Sequence, residues 1–307
     1  MRATTRSLSS PRPARASSAT PLAVALDFLA LTRPRITLMV ALTACPAMIM
    51  GRSGWPPPST LFGVLLGIAL LGSGCSAINA WYERDLDALM PRTRERPLPA
   101  GRVTPAEALG FGLLVSAAGV MVLRVAGGPM AALIGALTLA WYIAIYTAWL
   151  KPRSAHSTVA GAVAGAAAPL IGDAAVDGRV GPWGWVLFAI IFLWQPPHVW
   201  AIALFRKGEY AAAGIPMMPA AVGDRGTRRR MLGWSLALLA VTLFPWIGGV
   251  LGPAYAVTAL GAGALFVGSI LLAMIEEDQR ADRRVFIASL LYLAIVFGVM
   301  LAEVALG

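Results

Sequence analysis

The chain has 307 residues, 58% of them hydrophobic and only 13% charged, with a net charge of +10. So little charge among so much apolar side chain excludes a disordered chain and fits a polytopic membrane protein. The basic excess does not argue for nucleic acid. It clusters in a few connections, as expected of cytoplasmic loops attracted to anionic lipid.

Residues 1 to about 20 are rich in Arg, Ser, Pro and Ala and hold no acid. Residues 1–22 are expected to be a disordered cytoplasmic tail, and residues 23–307 a single transmembrane domain. The tail's composition also suits a mitochondrial transit segment, but no long apolar h-region precedes a cleavage site. The bacterial inner membrane is the favoured location, with the mitochondrial inner membrane as the alternative.

Apolar runs follow at about 24–51, 60–82, 105–125, 129–150, 157–175, 182–205, 231–251, 253–275 and 285–305. Each is near the ~20 residues that span a bilayer, which predicts nine helices. Gly127-Gly-Pro129 and Gly252-Pro253 read as tight turns between antiparallel neighbours. Arginines concentrate in the tail and in connections 91–102, 151–156, 206–230 and 276–284. The positive-inside rule therefore puts the N-terminus and these connections in the cytoplasm and the C-terminus outside. Two long charged segments in matching places hint at two related halves around one cavity. Cys45 and Cys75 lie in apolar runs and read as small buried hydrophobes rather than a disulfide or metal pair.

The second apolar run ends in Asn79-Ala-Trp-Tyr-Glu83-Arg-Asp85-Leu-Asp87, followed by Arg92-Thr-Arg94-Glu-Arg96-Pro-Leu-Pro. Ionisable groups at a membrane boundary are costly without partners and usually bind or move something. Four residues of α-helix advance about 400°, so Asn79, Glu83 and Asp87 share one stripe. Oxygen ligands of this kind suit Mg²⁺, which binds one or two carboxylates plus substrate phosphates. The arginines beyond suit bidentate contact with diphosphate oxygens.

A second constellation runs Trp194-Gln195-Pro196-Pro197-His198-Val-Trp200, then Arg206-Lys207-Gly-Glu209-Tyr210 and Gly214-Ile-Pro216-Met-Met-Pro219. Paired prolines are expected to break the hydrogen-bond ladder and kink this span, opening polar groups onto a cavity. His198 reads either as a hydrogen-bonded core histidine or as a substrate contact. No His, Cys or acid accompanies it at metal-site spacing. A third segment, Tyr142-Ile-Ala-Ile-Tyr146-Thr-Ala-Trp149-Leu-Lys151-Pro-Arg153, is either an interfacial aromatic belt or part of a site.

Together these stretches resemble the intramembrane UbiA-type prenyltransferases, and within them the protohaem IX farnesyltransferase branch. Leu31-Thr-Arg-Pro-Arg35, Tyr146-Thr-x₂-Leu-Lys151 and Gln195-x-Pro-His198-x-Trp200 with Tyr210-x₃-Gly-Ile-Pro-Met-x-Pro219 fit the same family, and the similarity spans about residues 25–305. The resemblance implies an all-α membrane protein, nine helices in a UbiA-type bundle around a central cavity open to lipid and capped by cytoplasmic loops. It implies transfer of a farnesyl group from farnesyl diphosphate to a vinyl group of haem B, giving haem O and diphosphate, and association with haem A synthase or terminal-oxidase assembly. By the same resemblance Asn79, Glu83 and Asp87 position Mg²⁺ on the diphosphate, with Asp85 in the motif. Arg92, Arg94, Arg96, Lys151 and Lys207 neutralise the leaving group. Arg35, Tyr146, Arg153, Gln195, His198, Trp200 and Tyr210 fall in its substrate-binding stretches, and Tyr142, Tyr146, Trp194 and Trp200 are candidates to shelter the prenyl cation.

Two departures stand out. Glu83 stands where bacterial relatives usually carry aspartate, and no second aspartate-rich motif occurs near 200–215. Such a motif would favour an aromatic or chlorin acceptor instead. A transporter with Arg-lined gates is the alternative from another class, supported if discontinuous helices formed inverted repeats.

Overall fold

The computed structural model describes residues 20–52 and 54–306. Most of the expected tail, residues 1–19, lies outside the described residues. Its last positions are a helix start: the Thr20 hydroxyl caps α1 (Pro21–Leu31).

Among the described residues, nine helical stretches are long and apolar enough to cross a membrane. Helices answer the bilayer's demand that backbone polar groups be satisfied within the chain. The first span is α2 (Pro34–Leu42) continued by α3 (Ala44–Arg52). Then come α4 (Pro58–Tyr82), the short α5 (Arg84–Leu89), and α6 (Pro105–Ala126). The fourth span is α7 (Gly128–Ala140) running into a π-helix, Trp141–Leu150. The fifth is α8 (Ser157–Gly165) with α9 (Ala168–Asp177), and the sixth α10 (Pro182–Phe205). After α11 (Lys207–Ala212), the last three spans are α12 (Met218–Thr242) with α13 (Phe244–Ile247), α14 (Pro253–Glu276) and α15 (Gln279–Leu306). Proline opens α2, α4, α6, α10 and α14, where its missing N–H has no intrahelical partner to lose.

Three sequence expectations need correction. The first span begins at Pro34, because Arg33 adopts a left-handed backbone (φ 48°) that separates α1 from α2. The seventh begins at Met218 rather than near 231: with α11, most of the supposed 206–230 loop is helical, with one kink at Gly223 (φ 73°). Finally, α10 stays helical through Pro196 and Pro197. The two ring nitrogens cannot donate to the carbonyls one turn back, yet both prolines are buried and the surrounding packing holds the helical path.

The core has two principal parts. One joins α2, α3, α4, α6, α7 and α9 around Met48, Leu71, Leu123 and Ile171, and the other joins α10, α12, α14 and α15 around Trp200, Tyr255, Phe266 and Tyr292. Helices α4 and α6 pack with almost no side chain between them. A Cβ at Gly74 would stand 2.6 Å from the Gly112 carbonyl oxygen, and one at Gly119 would stand 2.6 Å from the Leu71 nitrogen. Such close backbone approach is how helices associate where no water drives them together. It fixes α4 as a firm support for the acidic stripe at its end.

Candidate active site

Helix α4 stops at Tyr82, but its spacing does not. Glu83 leaves helical geometry (φ −90°, ψ 6°), yet its N–H still bonds the Asn79 carbonyl at 2.9 Å. The Asp87 N–H bonds the Glu83 carbonyl at 2.8 Å, so the one-turn spacing crosses the joint into α5. Asn79, Glu83 and Asp87 are all buried, whereas the Asp85 side chain is 88% exposed beside Arg84. The motif therefore splits: three oxygen-bearing groups face inward and one faces out.

Each inward group has a basic or polar partner. The Asn79 amide donates to Glu83 Oε2 at 3.0 Å, and Lys151 Nζ pairs with the other Glu83 oxygen. Arg96 donates to Asp87 Oδ2 at 2.8 Å. Thr147 donates to Asn79 Oδ1 at 2.9 Å, tying the fourth span to the second. Burial works against the Lys151 charge, but Tyr146 and Glu83 outweigh it and hold the pKa above the ordinary lysine value. Burial and the neighbouring Arg33 charge pull the Arg96 pKa down against Asp87, and Arg92 adds to the lowering. Cations are crowded here.

The π-helix explains how Tyr146 and Lys151 meet. Its bonds skip five residues, as in Lys151 N–H to the Tyr146 carbonyl at 2.8 Å. Positions five apart thus share a side, where an α-helix would turn them about 140° apart. Lys151 Nζ stands 5.6 Å from the Tyr146 ring centre, and that ring lies 4.9 Å from Tyr142. π-Helical turns often occur at functional sites.

The expected cytoplasmic connections do meet at one end of the bundle. A cleft of about 280 Å³ is lined by Tyr82, Glu83, Thr147, Lys151, Pro152 and Gly214 among others, drawn from three connections. Arg92 reaches Glu209 at 3.9 Å, and Tyr210 lies half-buried in a small cluster with Met90, Ile215 and Met217. Burial raises the Tyr210 pKa against the opposing charges of Arg92 and Lys151.

Other expected site residues lie elsewhere. Arg35 is exposed on α2, and Arg94 is exposed beside Glu95. Arg153 donates to the carbonyls of Ala148 (3.0 Å) and Trp149 (2.8 Å), closing the π-helix end. Lys207 pairs with Asp224 at 2.5 Å.

The model of the UbiA prenyltransferase family matches residues 38–296, a range that holds the acidic stripe, the cations gathered on it and the cleft. The chain belongs to the UbiA prenyltransferase family. It is 44% identical over 283 residues to protoheme IX farnesyltransferase 1 of Mesorhizobium japonicum, covering 92% of this chain and 91% of that one. It is 41% identical over 284 residues to the protoheme IX farnesyltransferase of Symbiobacterium thermophilum, covering 92% and 95%. Among solved structures, a digeranylgeranylglyceryl phosphate synthase superposes with TM-score 0.76 at 16% identity, covering 92% of this chain and 98% of that chain. A UbiA homologue from Archaeoglobus fulgidus bound to GPP and Mg²⁺ gives TM-score 0.61, also at 16% identity, covering 89% and 99%. At these identities the likeness of structure is one of fold.

In this UbiA prenyltransferase the second constellation packs between α10 and α15. His198 stacks on Trp194 with ring centres 4.4 Å apart and meets Phe286 at 4.9 Å. Its Nδ1 lies 2.8 Å from Ser289 Oγ, and that hydroxyl donates to the Phe286 carbonyl at 2.6 Å. Gln195 donates to the Ala162 carbonyl at 3.2 Å, and Trp200, 1% exposed, packs in the core against Trp234. Two residues beside these groups, Thr147 and Arg33, lie in the family-like stretches but have no role assigned by the sequence alone. Thr147, four before Lys151, was available by spacing, whereas Arg33 was hidden because only the packing of α2 on α4 brings it near.

Proposed function

We propose that this prenyltransferase moves the farnesyl group of farnesyl diphosphate onto a vinyl group of haem B, yielding haem O and diphosphate. The observation that carries the reading is the buried stripe of Asn79, Glu83 and Asp87 with Lys151 and Arg96 already seated on it. The relatives named protoheme IX farnesyltransferase supply the acceptor.

The donor set fits Mg²⁺. Two buried carboxylates and an amide oxygen one turn apart are hard oxygen ligands, and substrate phosphates complete what they lack. Among the described residues no cluster of three or more His, Cys, Asp or Glu forms an all-protein cage, as befits an ion held jointly with its substrate. Glu83 and Asp87 would hold the ion, with Asn79 orienting Glu83 and offering an oxygen of its own. When bound, Mg²⁺ neutralises charge on the diphosphate.

The remaining chemistry belongs to the chain. The allylic C–O bond breaks with its electron pair going to the diphosphate oxygen. Lys151, Arg92 and Arg96 stabilise the charge that develops there. Tyr142 and Tyr146 offer π faces to the allylic cation. The terminal vinyl carbon then bonds to the farnesyl carbon, water adds to the neighbouring carbon, and a proton leaves. The cleft suits the diphosphate head, and the prenyl chain and porphyrin extend from it toward lipid. His198, its Nδ1 on Ser289, is the side chain assigned to the haem.

The positive-inside pattern orients the cleft to the cytoplasm of a bacterial inner membrane, N-terminus inside, where haem A synthase and terminal-oxidase assembly use the product. The test is direct: incubate the purified protein with haem B, farnesyl diphosphate and Mg²⁺ and look for haem O by mass. Absence of that product, with the donor supplied and bound, removes the haem acceptor from this reading.

A further inference from the structure

Arg33 is a cation near the site that, among the described residues, pairs with no acid. Arg33 precedes α2, whose Thr37 methyl comes within 3.2 Å of where a Cβ on Gly72 of α4 would stand. The two helices run antiparallel, so Arg33, four residues before Thr37, comes level with the residues four after Gly72. Leu31, two residues earlier, packs in one cluster with Ala77 and Ala80 of α4. Arg33 therefore sits beside the α4 turn that carries Cys75, about 6 Å deeper in the bundle than Asn79. It lies within electrostatic reach of Cys75 and Tyr142 in that layer and of Arg96 and Lys151 above it.

Arg33 is half-buried, and among the described residues no ion pair or hydrogen bond engages its guanidinium. The acids nearby are taken: Glu83 by Lys151, Asp87 by Arg96, and Glu209 by Arg206 and Arg92. A cation added to a crowd of cations, with no acid of its own, is held at a cost unless an anion joins it. The backbone there also resists relaxation: among the described residues Arg33 is one of two non-glycine residues with positive φ, and Pro34 disfavours the right-handed helix there.

We propose that Arg33 is a further catalytic residue, binding the α-phosphate of the prenyl diphosphate from the membrane side. The argument is one of depth. The stripe from Asn79 to Asp87 rises toward the cytoplasm, while the prenyl chain must run the other way into lipid. The phosphate esterified to that chain is therefore the deeper one, level with Arg33. As the C–O bond breaks, its electron pair passes to an oxygen of this phosphate, where a guanidinium stabilises the growing charge.

The assignment rests on the diphosphate reading of the site and not on the acceptor, so the probe is inorganic diphosphate with Mg²⁺, titrated calorimetrically into the purified full chain. Arg33→Asn removes the guanidinium while keeping a residue that tolerates the left-handed backbone. Arg33→Lys keeps the charge without the fork and serves if the Asn variant does not fold. The Asn variant is expected to bind diphosphate about tenfold or more weakly, the Lys variant to fall between, and haem affinity to stay unchanged in both. Turnover by the Asn variant should drop on the order of 10²-fold. Diphosphate affinity within twofold of the parent in the folded variants, or a loss confined to haem affinity, overturns the proposal. A parent chain that binds diphosphate through Arg33 but forms no haem O keeps the assignment and loses only the acceptor.

Discussion

Thr147 and Asn79, 68 residues apart, share a 2.9 Å hydrogen bond that decides which way the Asn79 amide points. With the Thr147 hydroxyl on its oxygen, the amide nitrogen is turned to Glu83 at 3.0 Å. Asn79 thus holds Glu83 in place as much as it offers an oxygen of its own.

Asn79→Asp is the sharp test of that arrangement. It sets a carboxylate against the buried Glu83 in place of a donor. Turnover at fixed Mg²⁺ is expected to fall on the order of 10²-fold, with Thr147→Val giving a smaller loss in the same direction. Asp87→Asn should abolish turnover while the protein still folds in membranes. Near-normal Mg²⁺-dependent kinetics in Asp87→Asn would remove Asp87 from the metal–diphosphate unit.

Lys151 gives a pH prediction with a definite sign. Its pKa is raised above the ordinary 10.5, so its contribution to stability is complete below that value and is lost only as pH rises through the higher folded value. The melting-temperature gap between the parent and Lys151→Met is therefore expected to stay constant from neutral pH to the ordinary lysine value and to narrow above it. A gap that closes near neutrality contradicts the pairing with Glu83. Turnover of Lys151→Met should fall on the order of 10²-fold.

The three arginines of the motif are expected to separate. Arg96 holds Asp87 at 2.8 Å with its side chain 31% exposed, whereas Arg94 is 62% exposed beside Glu95. Arg96→Lys keeps the charge and loses the planar fork, so its KM for farnesyl diphosphate should rise about tenfold. Arg94→Lys should leave kinetics unchanged, and Arg92→Lys should fall between. Kinetics unchanged from the parent in all three variants would leave these arginines with a topological role alone.

His198 and Ser289 form the last test. Ser289→Ala removes the hydroxyl that holds the imidazole at Nδ1, and His198→Ala removes the ring. Replacing His198 breaks one partly buried hydrogen bond, a loss of about 1–3 kcal/mol that will register in the melting curve. The haem contact predicts more: haem affinity in the folded fraction should drop for His198→Ala and, less, for Ser289→Ala. Normal haem affinity in that fraction, with stability alone reduced, assigns the histidine to the core.

Much of this protein was legible along the chain, because the bilayer imposes one-dimensional rules. Span length, loop charge and the four-residue spacing of Asn79, Glu83 and Asp87 depend only on local sequence, and the stripe survived even the break at Glu83. Where local rules met tertiary packing, the packing won. Pro196 and Pro197 did not end α10, because neighbouring helices hold a path whose two missing hydrogen bonds would have broken an isolated helix. The π-helix that brings Tyr146 under Lys151 carries no breaker residue to announce it. Arg33 and Arg35 are indistinguishable by composition and only two positions apart. The packing of α2 on α4 near Thr37 and Gly72 leaves the first half-buried and the second exposed. Sequence by itself determined which groups stand at the membrane boundary, since their cost in lipid is a property of each residue. Which of them meet was decided by the helix contacts, since pairing depends on distances that no single span contains.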